Sequence, residues 1–233
     1  MKALVMESYK ELKFKEVPTP SVAGAHDVLV QVKAVAICGS DVHGFDGSTG
    51  RRQPPVIMGH EASGEIVTIG SEVRNLHVGQ RVTFDSTIFC GTCRYCRIGD
   101  VNLCDNRRVL GVSCDEYRQD GAFAEFVLVP DHIVYPLPEG LSFVEAALAE
   151  PAAVAAHAFR ITPVGLNESM AVVGTGLIGL LLVQILRTST SGKIIALDTD
   201  AKRRESALSF GADVAFDPSD PLLVEKIAKA IGP

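Results

Sequence analysis

Four of the six cysteines in this 233-residue chain, Cys90, Cys93, Cys96 and Cys104, stand at the spacing C-x2-C-x2-C-x7-C within fifteen residues. A loop that carries them so close together must fold around a single centre. Four thiolates on short spacers suit one tetrahedral Zn²⁺. All four ligands would be protein atoms, so the site is expected to be structural, with no position open to water or substrate. Two disulfides are the alternative that the same residues allow. Thiols kept reduced inside a cell, and a core large enough to need no staples, weigh against them.

At 47% hydrophobic and 21% charged, the chain can bury a substantial core in one large domain or two ordinary ones. Twenty-one glycines and twelve prolines imply many tight turns, as in β-rich or α/β proteins. The formal net charge is −6, and Arg51-Arg52 and Arg107-Arg108 are pairs rather than patches, so nucleic acid is not an expected partner. The opening residues, Met1 to Glu7, lack the apolar stretch and cleavage site of a secretory signal. Residues 170–186 are apolar apart from Thr175 and Gln184. That run is shorter than the ~20 residues a membrane helix needs, and three glycines interrupt it. A buried strand, turn and helix account for it better. A cytoplasmic location without a membrane partner is the expectation.

Short strands are predicted over residues 28–37, 65–69, 81–84 and 124–129. Ser142 and Glu145 form a capping-box pair ahead of an Ala-rich helix predicted over 143–159. After Pro163-Val164-Gly165 the pattern alternates. Strands are expected over 169–173, 193–197 and 213–216, and helices over 177–187, 202–210 and 222–231. Such alternation builds a parallel sheet with crossover helices. The division falls at 1–150 and 151–233. A doubly wound dinucleotide domain of six strands needs another half. The expectation is therefore a fragment of a longer product, or a short form whose exposed face is covered by another subunit.

Gly174-Thr175-Gly176-Leu177-Ile178-Gly179 fits G-x-G-x-x-G. The context makes the match specific, because an apolar strand ends at Val173, an apolar helix begins near Leu177, and Asp198 follows nineteen residues after Gly179. Gly174 would permit the tight turn, Gly176 the approach of a pyrophosphate, and Gly179 close packing of helix on strand. Free N–H groups of residues such as Leu177 and Ile178 would face the phosphates. Asp198 would accept hydrogen bonds from ribose hydroxyls and repel a 2′-phosphate, favouring NAD over NADP. Lys202, Arg203 and Arg204 soften that preference, since one could reach a phosphate. An ordinary N-cap or turn aspartate is the alternative for Asp198.

Upstream lie Cys38-Gly39-Ser40-Asp41-Val42-His43 and Gly59-His60-Glu61. Cys and His are good zinc ligands, yet their separation says little, and a buried core cysteine or a hydrogen-bonding histidine fits equally well. Taken in order, these two motifs, the four-cysteine loop, Glu150-Pro151 and the glycine turn resemble the zinc-dependent medium-chain alcohol dehydrogenases. The likeness is greatest to their sorbitol (polyol) and threonine dehydrogenase branch and covers essentially the whole chain. It implies a GroES-like β-barrel catalytic domain followed by a Rossmann domain, here reaching about three strands. It implies a catalytic zinc on Cys38, His60 and Glu61, with Glu150 as ligand or close neighbour where classical alcohol dehydrogenases have a cysteine. Cys90, Cys93, Cys96 and Cys104 would hold a second, structural zinc. Asp41 would orient the His60 imidazole. Ser40 and His43 would relay the proton of a secondary alcohol, polarised by zinc, as its carbon gives hydride to NAD. As turn residues only, Ser40 and His43 would carry no such role. The small-molecule alcohol is the expected partner, and a homo-oligomer, dimer or tetramer, the expected assembly.

The sequence departs from that pattern at Gly44-Phe45, where some polyol dehydrogenases carry an aromatic pair, which puts a sugar-alcohol substrate in doubt. Cys114 belongs to none of the motifs. Two other functions compete. A non-catalytic, zinc-stabilised relative would have kept the barrel and lost turnover. A zinc-free quinone reductase-like enzyme is disfavoured by Cys38, His60 and Glu61 together.

Overall fold

Runs of β-branched residues shape the first sheet, as in Val28-Leu29-Val30-Gln31-Val32. In the computed structural model, which describes residues 1–232, they lie in β3 (Asp27–Ala36). The chain divides into two units between Glu150 and Pro151. In the first, β1 (Lys2–Ser8) and β2 (Glu11–Glu16) form a hairpin that the sequence pattern did not suggest, and β1 also pairs with β4 (Val56–Ile57). After β3 come α1 (Gly39–Phe45), β5 (Glu61–Ile69) and β6 (Arg81–Phe84). β7 (Thr87–Ile88) and β8 (Arg108–Val109) flank α2 (Arg94–Ile98). β9 (Val112–Ser113), β10 (Arg118–Gln119), β11 (Phe126–Pro130) and β12 (Val134–Pro136) follow.

The main sheet is antiparallel in the order β11-β3-β5-β6-β12. Its inward side chains, among them Val28, Val30, Ile66, Val82, Phe84 and Val129, form the core. β5 begins four residues before the predicted start. Glu61, Ala62 and Ser63 are poor strand formers, yet all three are buried and pair with β3, with Ala36 opposite Glu61 and Val35 opposite Ala62. Tertiary pairing overrides propensity there.

The helix predicted over 143–159 is two helices, α3 (Phe143–Ala147) and α4 (Ala149–Ile161). Pro151 has no N–H to give the turn before it, so the helix restarts with proline in its first turn. Ser142 caps α3 as expected, its hydroxyl accepting from the Glu145 N–H at 3.2 Å.

The second unit alternates β13 (Met170–Val173), α5 (Leu177–Ser189), β14 (Ile194–Leu197), α6 (Ala201–Ser209), β15 (Val214–Phe216) and α7 (Leu223–Ile231). Its sheet is parallel in the order β13-β14-β15, with Val173 opposite Leu197 and Leu197 opposite Phe216. Val172, Val183, Leu186, Ile194, Ala196 and Ala207 form its core. Asp213 ties the layers together. Its carboxylate accepts from the Ile194 N–H at 2.8 Å and from Arg187, whose Nε also donates to the Gly211 carbonyl at 2.9 Å. Among the described residues, no helix is long and apolar enough to cross a membrane.

Two outcomes follow for stability. Asp213→Ala leaves the Ile194 N–H and the Arg187 guanidinium without an acceptor, which is expected to cost about 1–3 kcal/mol. The loss reads as a lower urea midpoint, and Asp213→Asn, which keeps one carbonyl oxygen, recovers part of it. His26 lies 3.1 Å from Asp131 and 3.3 Å from Glu72, and Asp131 foremost raises its pKa above 6.5. The folded pKa exceeds the unfolded one, so the contribution is full below about pH 6.5 and fades as pH rises through the folded value. A slight fall in melting temperature between pH 6 and pH 8 should be reduced in His26→Gln.

Candidate metal centres and nucleotide turn

Helix α1 sets the first centre. Cys38 precedes it, and the Asp41 side chain reaches back to accept the Cys38 N–H at 3.1 Å, so ligand and neighbouring carboxylate are fixed by one turn of chain. β5 delivers the other two donors, since His60 leads directly into Glu61 at the strand's start. The donor atoms of Cys38, His60 and Glu61 lie within 4.8 Å of one another. His60 and Glu61 are buried, at 6% and 2% exposure.

Asp41 Oδ1 is 3.6 Å from His60 Nδ1, which leaves Nε2 as the ring nitrogen open to a metal. Burial pushes the Glu61 carboxyl and the Cys38 thiol up, against hydrogen bonds that favour their charged forms. Burial also works against the charged His60, but Asp41 outweighs it and raises the imidazole pKa. Glu61 Oε2, His60 Nδ1 and Asp41 Oδ1 are buried without a hydrogen-bond partner. Orphaned polar atoms around an S, N and O donor set fit a zinc ion: a cation among these groups relieves the burial penalty.

Glu150 is not gathered into that set. It sits in the first turn of α4, where its Oε1 accepts from Ser86 Oγ at 2.7 Å, although its charge is felt by His60 and Glu61. Ser40 and His43 lie three residues apart on α1, hence on one face. His43 is exposed. Arg52, one of two adjacent arginines, is buried at 6% exposure, with Nη2 donating to Ser40 Oγ at 3.2 Å and 3.6 Å from Asp41 Oδ1. Gly44 makes that possible, because a Cβ there would collide with Arg52 Cγ.

The four-cysteine loop gathers the Sγ atoms of Cys90, Cys93, Cys96 and Cys104 within 4.8 Å of one another. All six cysteines are free thiols, and the Sγ atoms of Cys93 and Cys96 stand 3.5 Å apart, well beyond the ~2.05 Å of a disulfide. Hydrogen bonds from Thr92, Asn106 and the Cys93 N–H pull the Cys90 thiol down to about 5. Burial, then its thiol neighbours, push Cys96 up to about 12. Such a nest holds thiolate but cannot ionise fully without a cation, which suits a closed zinc site. Cys114 lies apart, in the turn between β9 and β10, its N–H donating to the Tyr117 carbonyl at 2.9 Å.

In the second unit Gly174 has φ +86°, and a Cβ on Gly179 would run into the Gly174 carbonyl. Gly176 precedes α5 and offers no side-chain cap, so the first-turn N–H groups, next to the exposed Leu177 and Ile178, are left for a phosphate. Asp198 is buried at 7% and accepts from the Asp200 N–H at 2.9 Å and the Thr175 N–H at 2.8 Å. Those bonds hold its carboxyl below the usual range. The N-cap role belongs to Asp200, which accepts from the Lys202 and Arg203 N–H groups. Arg203 stands 3.9 Å from Asp198, while Arg204 is engaged by the carbonyls of Asp198 and Thr199 and by Asp217. Thr175, which the motif leaves unspecified, thus links the glycine turn to the acidic residue.

A family model for the alcohol dehydrogenase GroES-like domain matches residues 24–139. The chain is 36% identical over 232 residues to D-xylulose reductase A of Aspergillus oryzae, covering 98% of this chain and 64% of that protein. A zinc-binding dehydrogenase from Sinorhizobium meliloti 1021 bound to NADP superposes with TM-score 0.89 at 38% identity, covering 99% of this chain and 66% of that one. An alcohol dehydrogenase from Thermus sp. ATN1 superposes at 0.92 with 30% identity, covering 99% and 67%. The chain therefore spans a little under two thirds of the curated relative's length, and its fold is a GroES-like domain followed by part of a Rossmann-like sheet. By motif order, fold and identity alike, the chain belongs to the zinc-dependent medium-chain alcohol dehydrogenases, in their sorbitol-dehydrogenase-like branch.

Proposed function

We propose that this chain acts as a zinc-dependent oxidoreductase that moves a hydride from a secondary alcohol, a polyol or an amino alcohol, to NAD. The observation that carries the reading is the convergence of Cys38, His60 and Glu61 donors in a chain that also holds an uncapped glycine turn. The D-xylulose reductase relative supports a polyol-like substrate. The ionised Asp198 favours NAD, although the Sinorhizobium relative binds NADP.

Cys38, His60 and Glu61 would hold the reactive zinc, and Cys90, Cys93, Cys96 and Cys104 the structural one. When bound, zinc polarises an alcohol hydroxyl and NAD accepts hydride from the adjoining carbon. Asp41, facing His60 Nδ1, would keep the ring in the tautomer whose Nε2 can serve as the ligand. Ser40 Oγ accepts the hydroxyl proton. Its own proton moves toward the exposed His43 and on to solvent, because Arg52 has donors only and cannot receive it. Glu150, held by Ser86, adds negative charge near His60 without joining the three donors. The first-turn N–H groups of α5 would receive the pyrophosphate, and the Asp198 carboxylate would take the adenosine ribose, with Lys202 and Arg203 beside it on α6.

Turnover is tested with a panel of polyols, amino alcohols and simple secondary alcohols, offered with NAD and NADP while nicotinamide absorbance is followed. No oxidation of any member would overturn the proposed activity. Dialysed protein should contain about two zinc per chain. Cys38→Ser should leave one zinc with the melting temperature little changed. Cys93→Ser should also leave one, but with a melting temperature several degrees lower, because a closed site contributes folding energy. In fluorescence titrations, Asp198→Ala should weaken NADH binding about tenfold, the ~1.4 kcal/mol of a lost charged hydrogen bond. The same change should narrow the preference for NADH over NADPH.

A further inference from the structure

We propose that Arg52 is a positioning residue of the Cys38–His60–Glu61 centre, bridging Ser40 and Asp41 so that the Asp41 carboxylate stays against His60. The proposal rests on the reading of that centre as a zinc site given above. A guanidinium taken out of water is strongly disfavoured unless it is paired. Here it meets Ser40 Oγ at 3.2 Å and Asp41 Oδ1 at 3.6 Å, while its Nε is buried with no partner at all. A side chain so placed is held against its own solvation preference, and the chain around it shows what holds it.

The backbone on both sides of Arg52 is clamped to β9. Gln53 N–H donates to the Ser113 carbonyl at 2.7 Å, and Ser113 N–H to the Arg51 carbonyl at 3.2 Å. Arg118 fastens the following residues, donating to the carbonyls of Gln53 and Pro54 at 3.2 Å each. From the other side Gly44 opens the space the Arg52 stem occupies. Two elements distant in sequence, α1 and β9, are thus both shaped to put one cation beside Asp41.

Charge explains the need. Cys38, Asp41 and Glu61 lie about His60, which also feels the charge of Glu150, and a divalent ion balances only part of that negative charge. Arg52 offsets more of it without taking a ligand position. Asp41 has one oxygen committed to the Cys38 N–H. The other stands between His60 and Arg52 at the same 3.6 Å from each. Without Arg52 that oxygen has only the imidazole to restrain it, and the His60 ring loses a fixed partner.

The test is zinc retention by the full 233-residue chain, titrated with a chromogenic zinc chelator. Wild type should release two zinc in two phases, the tetrathiolate zinc last. Arg52→Met should move the weaker phase about tenfold or more toward release, the scale on which partners of a metal-bound histidine act, and leave the tetrathiolate phase unchanged. Arg52→Lys, which returns a charge but no fork, should recover part of the affinity. Gly44→Ala, which displaces the Arg52 stem without removing its charge, should shift the same phase and serves if Arg52→Met fails to fold. Wild-type release of both ions in Gly44→Ala and in folded Arg52→Met overturns the proposal. One zinc in the wild-type chain overturns the zinc-site reading itself, so the two failures are told apart.

Discussion

Carboxylates buried with too few hydrogen bonds are the constraint around which the first unit is arranged. Glu61 is at 2% exposure with Oε2 unpartnered, and Asp41 is equally buried with Oδ1 unpartnered. Such groups persist only where something else in the structure holds them in place and a positive charge balances them. The pairing of β3 with β5 supplies the first condition, because Ala36 opposite Glu61 leaves Glu61 no freedom to turn outward. The donor set itself supplies the second, since a cation is the partner that satisfies sulfur, nitrogen and oxygen at once. The same logic recurs in the tetrathiolate loop, where hydrogen bonds favour a thiolate at Cys90 while Cys96 resists ionising.

Where the structure is economical, one residue serves two neighbours. Asp41 both begins α1 through the Cys38 N–H and faces His60. Asp198 both braces the glycine turn through Thr175 and carries the charge expected to meet a ribose. Such double use couples local folding to the site. A substitution at either position disturbs a turn of backbone as well as a contact, so its effect is larger than one hydrogen bond and harder to assign.

The parts legible in the sequence were those fixed by short-range chemistry. The C-x2-C-x2-C-x7-C loop, the Ser142–Glu145 capping box and the G-x-G-x-x-G turn each need residues a few positions apart, and each stands where the sequence put it. Parallel β13-β14-β15 was legible too, because buried strands and crossover helices have different periods. What escaped depended on distance along the chain. Residues 61–64 read as a poor strand until β3 is laid beside them. The 143–159 helix read as continuous because Ala-rich propensity masks the missing N–H of Pro151. Arg52 read only as one of two adjacent arginines. Its trace in the sequence is indirect: Gly44 has no side chain, and a missing side chain is room for another.

That use of space bears on what Arg52 can act upon. An aromatic residue after His43 would fill the space now taken by the Arg52 stem, and the two arrangements exclude each other sterically. Gly44 thus leaves room for a charge set behind Ser40 and Asp41. Arg52 does not line an open surface, at 6% exposure, so it acts on a substrate only through the groups it holds. Its influence should fall on the geometry and charge of the Cys38–His60–Glu61 centre.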